Sequence, residues 1–292
     1  MQHRCYLSIA GVTFLLETDH PLYRNKEFEP FIIGETVPDI HAVIRKSEKL
    51  PLVPENVIFS DQCYRIAKDE RGNFRKFFFE KPTDPVCCTV ATYDLANGRI
   101  DAEYLEEYSR CVSEVRNCFY LLGFEAILLQ RDKLCLHASC IDTPLGGILF
   151  SGVSGIGKST QADLWCRYRG ARQINGDRPI LSREENGWYA WGSPYAGSSR
   201  YHVNDSCPVS AIVLLEQGKA CSLRRLPRAE AFRGVWAGMT VRNWDPAFVD
   251  KASLLTVELV TKVPVFRFCC TPDEHAVEYL EKALRKEFLN CE

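Results

Sequence analysis

The sequence has no apolar run that approaches the roughly 18 residues of a membrane-spanning helix. It also has no block of like charges of the kind that binds nucleic acid, because 36 Lys and Arg residues nearly balance 38 Asp and Glu residues over 292 positions. The first residues lead into a strand pattern and not into the apolar core of a signal peptide. We therefore expect a cytoplasmic protein that has neither a membrane nor a nucleic acid as a partner.

Metal-binding cysteine motifs are absent as well. None of the 14 cysteines takes part in a C-x-x-C or zinc-ribbon spacing, and there is no H-E-x-x-H sequence. Free cysteines outside such motifs usually behave as small hydrophobic side chains. The pattern therefore predicts that most of these cysteines lie in the core.

In contrast to these absences, the sequence contains one recognisable glycine-rich motif. Residues 152–160, with the sequence GVSGIGKST, match the phosphate-binding pattern G-x-x-x-x-G-K-[ST]. The run Gly147–Ser151 before them is typical of a short buried strand, and apolar residues at helical spacing follow as far as Gly170. The motif therefore predicts the strand, loop and helix of a P-loop. A glycine-rich turn between two core elements is the simpler alternative.

The P-loop interpretation assigns a role to each part of the motif. Its glycines let the loop fold back with N–H groups pointing inward, Lys158 can reach the β and γ phosphates, and the Ser159 hydroxyl can ligate Mg²⁺. The predicted ligand is therefore ATP or another nucleoside triphosphate, with Mg²⁺ as its companion ion. An excess of positive charge between Phe150 and Asp245, 13 Lys and Arg against 8 Asp and Glu, suits such an anion. The predicted nucleotide-binding residues are Gly152, Val153, Ser154, Gly155, Ile156, Gly157, Lys158, Ser159 and Thr160.

Three segments follow from the patterning of the chain. Short strand patterns separated by Gly and Pro predict a strand-rich N-terminal domain over residues 1–100. Apolar residues that return every three or four positions predict a helix from Asp101 to Leu122, and a second helical pattern follows at once, so that residues 101–132 read as a helical connector. Residues 133–292 alternate between strand and helix patterns around the motif, which predicts an α/β nucleotide-binding domain.

A histidine falls near the predicted loop. The runs Leu134–Ile141 and Gly147–Ser151 look like two strands of a hairpin. If Asp142 pairs with Gly147, His137 comes to lie opposite Gly152, at the mouth of the loop. A shift of register by one residue would instead turn this side chain into the core, so a structural histidine is the alternative.

An aspartate is expected at the same place. A strand over Arg172–Asn175 follows the predicted P-loop helix, and a parallel neighbour of the P-loop strand would deliver Asp177 beside the loop. A carboxylate there could bind Mg²⁺ or take a proton from a hydroxyl group. The plain alternative is that Asn175, Gly176 and Asp177 form a hairpin turn.

Together these residues resemble a known active-site series. Leu136-His137-Ala138-Ser139, the loop 152–160 and Ile174-Asn175-Gly176-Asp177 resemble the motifs shared by HPr kinase/phosphorylase and ATP-dependent phosphoenolpyruvate carboxykinase. The similarity looks closer to the C-terminal domain of the HPr kinases and covers roughly residues 133–270. It departs from both families at Gly176-Asp177, where they carry two adjacent aspartates, and at Thr160, where HPr kinases usually carry glutamate.

The resemblance implies a mixed α/β sheet around the P-loop and phosphoryl transfer from ATP to a hydroxyl group. It implies that Lys158, Asp177 and His137 are catalytic, that Ser159 and Asp177 hold the metal ion, and that His137 lies at the metal or the phosphates. Arg178 and Arg200 could add positive contacts at the transferring phosphoryl group, although a surface or structural role suits each of them as well.

Two functions therefore stand side by side. The first is an ATP- and Mg²⁺-dependent kinase that acts on serine in a peptide or protein, or on a small molecule. The second is a nucleotide-binding regulatory or assembly module that has lost its chemistry, because one of the two carboxylates is missing. A carboxykinase is less favoured because the chain is short for that family. The sequence leaves open whether the chain forms a homo-oligomer.

Overall fold

The computed structural model describes residues 3–19, 26–81, 83–84, 86–109 and 113–289. The chain divides into two compact units, Met1–Ile127 and Leu128–Glu292. None of the helices in these described ranges has the length and apolar character needed to cross a membrane. Eight of the twelve described cysteines are buried, as the sequence predicts.

The first unit is built on a mixed sheet of eight strands in the order β1-β2-β3-β8-β7-β6-β5-β4. Strand β3 pairs in parallel with both β2 and β8, and the remaining pairs are antiparallel. The strands are β1 (His3–Ile9), β2 (Val12–Thr18), β3 (Ile40–Ser47), β4 (Phe59–Ser60), β5 (Tyr64–Lys68), β6 (Phe74–Phe78), β7 (Thr89–Asp94) and β8 (Arg99–Leu105).

The helix predicted from Asp101 to Leu122 is wrong over its first part. Residues 99–105 form β8, a short 3₁₀ turn follows at Glu106–Tyr108, and the helix α1 occupies only Val115–Leu122. The physical reason is an alternation with period two, because Ile100, Ala102 and Tyr104 are buried while the residues between them are not. The predicted positions 110–112 lie outside the described residues.

Helix α1 ends at Gly123, whose left-handed backbone (φ 63°) terminates it, and α2 (Phe124–Gln130) begins at the next residue. The boundary between the two units falls within α2. Aromatic side chains fill the core of the first unit, where the ring centroids of Phe119 and Phe124 lie 4.2 Å apart.

The second unit is a nine-stranded mixed sheet with helices packed on it. Strand β15 pairs with both β11 and β17 in parallel and with β14 antiparallel. Its strands are β9 (Lys133–Cys135), β10 (Ala138–Thr143), β11 (Gly146–Ser151), β12 (Arg172–Asn175), β13 (Ile180–Glu184), β14 (Gly187–Trp191), β15 (Ser206–Gln217), β16 (Ser222–Arg225) and β17 (Val265–Cys270). Its helices are α3 (Lys158–Arg169), α4 (Arg228–Trp236), α5 (Pro246–Lys262) and α6 (Glu274–Leu289).

Helices α3 and α6 contribute to one apolar core with the strands beneath them. Trp165 of α3, Leu280 of α6 and Phe150 of β11 are all buried in this cluster. Both units therefore combine helices with mixed sheets, which agrees with the α/β class that the sequence predicts.

One local prediction in this unit is wrong. Strand β12 is not the neighbour of β11, because β10 lies between them and pairs antiparallel with both. Helix α6 is capped by Asp273, since the Asp273 carboxylate accepts a hydrogen bond of 3.1 Å from the backbone N–H of Ala276.

Candidate active site

The glycine-rich loop joins the end of β11 to the start of α3. Strand, loop and helix therefore occur in the order that the motif predicts. Gly152, Gly155 and Gly157 have φ angles of 146°, 77° and 113°, a region that side chains other than glycine rarely adopt. The loop between them is open to solvent, with Val153 72% exposed.

Lys158, the first residue of α3, folds its side chain back over this loop. Its Nζ donates hydrogen bonds of 3.1 Å and 3.2 Å to the carbonyl oxygens of Gly152 and Val153. Burial lowers the pKa of the ammonium, and the nearby charge of Asp177 opposes that effect. The ammonium is thus held inside the loop by neutral carbonyl groups, where an anionic ligand could compete for it.

The remaining motif residues lie in the first turn of α3. Ser159 is partly buried and Thr160 is exposed. Gly157 caps the helix without a side-chain hydrogen bond, so no side chain of the cap residue satisfies the first N–H groups of α3. The N-terminus of a helix attracts negative charge, and the N-terminus of α3 directly follows the loop.

His137 lies in a break between β9 and β10. The predicted hairpin register is confirmed, because Asp142 pairs with Gly147 and the last pair is Ala138 with Ser151. His137 is therefore the next residue beyond the paired strands, beside the first residue of the loop. Its backbone is fixed on both sides, since its N–H donates to the Gly238 carbonyl (2.8 Å) and its carbonyl accepts from the Ser151 hydroxyl (2.9 Å).

Asp177 reaches His137 across the end of β10. Its Oδ1 lies 3.3 Å from Nε2 of His137, and both side chains are a little under one third exposed. Partial burial alone would raise the pKa of the Asp177 carboxyl, but the hydrogen bond from His137 and the positive charges of Arg178 and Lys158 outweigh burial and lower it. Asp177 is therefore a carboxylate at neutral pH.

Asn175, for which the sequence predicts no separate role, holds Asp177 in place. Its Oδ1 accepts hydrogen bonds from the backbone N–H groups of Asp177 (2.9 Å) and Arg178 (2.7 Å). Its Nδ2 donates to the carbonyl oxygens of Ser193 (2.9 Å) and Tyr195 (3.1 Å). The available signal was the Asn side chain itself, which accepts from backbone N–H groups two or three residues ahead in an Asx turn.

The 3₁₀ turn Gly197–Ser199 packs directly on this segment. A Cβ atom at Gly176 would overlap the hydroxyl of Ser199, and a Cβ at Gly197 would stand 2.7 Å from Cβ of Asp177. The position before Asp177 therefore has no room for a second carboxylate in this structure.

The two arginines behave differently. Nη1 of Arg178 donates to Oγ1 of Thr240 (2.8 Å), and the Arg178 charge acts on both Lys158 and Asp177. Arg200 is exposed at the end of the 3₁₀ turn, and none of the described contacts brings its side chain to this cluster. Sequence reasoning missed Thr240, whose own N–H is fixed by the carbonyl of Cys135 (2.9 Å).

The cluster consists of Lys158, Asp177, His137 and Arg178 around the mouth of the loop. Nowhere in the described ranges do three or more His, Cys, Asp or Glu side chains lie together as a ready-made metal cage. A hard cation such as Mg²⁺ usually needs only one or two carboxylates when phosphate oxygens complete its shell, and the oxygens of Ser159 and Asp177 suit that pattern.

No family model matches the chain, and a search of curated proteins finds no relative. Among solved structures, the chain is similar to the Hpr(Ser) kinase/phosphatase from Coxiella burnetii. That likeness has 16% sequence identity and a TM-score of 0.33, and it covers 54% of this chain and 92% of the other.

Proposed function

We propose that residues 152–160 form a nucleotide-binding P-loop and that the chain is an ATP- and Mg²⁺-dependent phosphotransferase, which moves the γ-phosphoryl group to a hydroxyl group. One observation carries this proposal. The Asp177 carboxylate contacts the His137 imidazole beside a glycine loop that leads into a helix, and the Lys158 ammonium in that loop is close enough to act on the Asp177 charge.

The loop and Lys158 would bind the triphosphate. Backbone N–H groups of the loop and of the start of α3 would donate to phosphate oxygens, and phosphate would replace the carbonyls of Gly152 and Val153 as the partner of Lys158. The Ser159 hydroxyl and the Asp177 carboxylate would hold Mg²⁺. When bound, this ion supplies neutralisation of the charge that develops on the phosphate oxygens.

The acceptor hydroxyl would approach from the side of Asp177. Its oxygen forms the new bond to the γ phosphorus while the bond from that phosphorus to the β–γ bridging oxygen breaks, and the hydroxyl proton passes to the carboxylate. His137 keeps that carboxylate oriented through their contact of 3.3 Å. Arg178, aimed by Thr240, adds positive charge beside the transferring group.

A second candidate function is a nucleotide-binding module without turnover. It is favoured by one observation, the absence of space for a second carboxylate at Gly176, which the Ser199 hydroxyl would obstruct. A cytoplasmic location and a possible homo-oligomer remain predictions from the sequence.

Transfer of label from γ-labelled ATP tests the two candidates. The protein with Mg²⁺ and lysate of its own cells should label an acceptor or hydrolyse ATP slowly. Asp177→Asn should lower that rate by on the order of a hundredfold or more, because a neutral amide neither binds the ion well nor accepts the proton. Mass spectrometry of the labelled product would identify the acceptor class.

The matched control is Asp163→Asn, since Asp163 lies exposed on α3 and takes no part in the cluster. Its rate should equal that of the unchanged protein. If ATP binds but neither protein turns it over with acceptors present, the module is the better account. If both variants lose activity equally, Asp177 has no special role.

A further inference from the structure

The first unit contains a polar groove that the proposed function does not use. Its volume is about 640 Å³, which is within the range of sites for small molecules. It lies on one face of strands β6, β7 and β8, where alternate residues point the same way. Pro54 and Asn56 line one side of it, and the turn between β5 and β6 lines another.

The sheet face beneath the groove changes character along the strands. At one end it is apolar, because Phe77 and Val90 face each other across β6 and β7 and are buried together with Leu50. At the other end Arg75 lies opposite Thr92, and Thr92 lies opposite Asp101. The groove is this polar end of the face.

Two of the acids in the groove already have partners. Asp69 accepts hydrogen bonds from the backbone N–H groups of Arg71 (2.9 Å) and Asn73 (2.8 Å), and the side-chain amide of Asn73 adds a third bond. Asp101 accepts two bonds from Arg99, at 2.7 Å and 2.6 Å. These groups form the frame of the groove, and their charges are satisfied inside the protein.

Arg75 and Asp94 are different. Nε of Arg75 is buried and has no hydrogen-bond partner in the described part of the chain, and no carboxylate there pairs with its guanidinium. Among the described residues, the hydrogen bonds that Asp94 accepts all come from Asn97, a neutral residue, at 2.9 Å and 3.0 Å from its side-chain amide and 3.4 Å from its backbone N–H. The Arg75 side chain is partly exposed in the groove, so its guanidinium is a charge that the carboxylate of a ligand could pair with.

The placement of these two groups limits the ligand. Asp94 lies two residues beyond Thr92 on the same strand, which makes it a diagonal neighbour of Arg75, roughly 7–8 Å away between backbones. The two side chains are not paired with each other. The groove lining as a whole carries four cations and four acids, so its field does not favour a multiply charged phosphate.

We propose that this groove binds a small zwitterion with the chemistry of a free amino acid or a short peptide. The carboxylate of the ligand pairs with Arg75, and its ammonium pairs with Asp94. The site is independent of the nucleotide loop and would exist whether or not the chain is a kinase.

Equilibrium dialysis of the full-length protein tests this site. One chamber receives a pool of the free amino acids and, in a separate arm, a pool of dipeptides, and mass spectrometry measures which compounds the protein retains. The two arms distinguish the two sources of a zwitterion. We expect at least one member to be retained, and a pool from which nothing is retained in either arm overturns the proposal.

Calorimetry on the retained compound then tests the two contacts. Arg75→Gln and Asp94→Asn should each weaken binding by about tenfold or more, because each removes one charge-assisted contact. Capping the amine by acetylation or the carboxylate by amidation should weaken binding to the unchanged protein in the same way. Arg45→Gln, an exposed arginine of the same sheet outside the groove, should bind normally.

Unchanged binding of either capped compound would contradict the proposal, as would equal weakening by Arg45→Gln. Inorganic phosphate that binds more tightly than the zwitterion would also overturn it. Because the capped compounds are tested on the unchanged protein, poor folding of a variant cannot hide the answer.

Discussion

At the scale of single residues, Asp177 is held from two sides. The imidazole of His137 contacts its carboxylate at 3.3 Å, while the turn Gly197–Ser199 presses on it from elsewhere in the chain. That close approach requires glycine, because a Cβ at position 197 would stand 2.7 Å from Cβ and 3.0 Å from Cγ of Asp177. The position of the Asp177 carboxylate therefore depends on the absence of a Cβ atom at Gly197.

Gly197→Ala should displace the Asp177 carboxylate. We expect phosphoryl transfer or ATP hydrolysis to fall by on the order of tenfold to a hundredfold, as misplacement of a reacting group does, while Mg-ATP still binds. Gly187→Ala is the control, since Gly187 also has a positive φ (130°) but a Cβ there meets nothing within 4 Å. Equal losses in both variants would mean that backbone strain, and not contact with Asp177, is responsible.

Some of these residues could be predicted from the sequence and others could not. Lys158 follows from the local motif, and His137 follows from counting outward through a hairpin whose register is set by a two-residue turn. Asn175 and Gly197 act through contacts with segments about twenty residues away, and Thr240 meets Arg178 from 62 positions along the chain. The spacing of residues within one helix or strand does not predict contacts with such distant segments.

At the scale of elements, the alternation of buried residues and the pairing of strands decide whether a segment forms a strand or a helix. The sequence predicts a helix over β8 because both the helical and the strand period occur near it, and pairing with β3 and β7 on its two sides makes it a strand. The sequence also predicts one unbroken strand over Leu134–Ile141, where the structure has β9 and β10 with a break between them. Leu136 pairs with Met239, and His137 bonds to Gly238, so the interruption depends on a distant segment.

Strands β1, β2 and β3 carry an ionic contact that links stability to pH. Glu17 on β2 accepts from Arg4 on β1 (2.6 Å) and lies 3.0 Å from Nε2 of His41 on β3. The hydrogen bonds from Arg4 and then His41 lower the pKa of Glu17 below its ordinary value of 4.5. The ionised Glu17 therefore stabilises the fold above about pH 4.5, and this contribution is lost as the pH falls through the lowered pKa.

Glu17→Gln should accordingly reduce stability at pH 7 and make little difference once the pH is well below 4.5. Urea denaturation midpoints of the variant and the unchanged protein, measured at both pH values, check this. Glu55→Gln, at an exposed loop position, should shift the midpoint at neither pH. If the difference in urea midpoint between Glu17→Gln and the unchanged protein is as large in acid as at pH 7, the charge of the carboxylate is not its cause.

At the scale of the whole molecule, the two compact units carry different features. The loop proposed to bind a nucleotide belongs to the second unit, and the groove proposed to bind a zwitterion belongs to the first. The change from strand patterns to alternating strand and helix patterns predicts a strand-rich N-terminal domain, a connector and an α/β domain. Strand β15 is twelve residues long and pairs with β14 over its first residues and with β11 and β17 further on. Its length therefore depends on pairing with three strands from other parts of the sequence.

The most direct test of the central claim is a calorimetric titration of the full chain with ATP in the presence of Mg²⁺. The account predicts saturable binding. Lys158→Ala should weaken it by about a hundredfold or more, because the variant loses the contact between the partly buried Lys158 ammonium and the phosphate oxygens. Lys219→Ala, at an exposed turn, should bind as the unchanged protein does. Absence of heat with every nucleoside triphosphate, or equal binding by Lys158→Ala, would contradict the account.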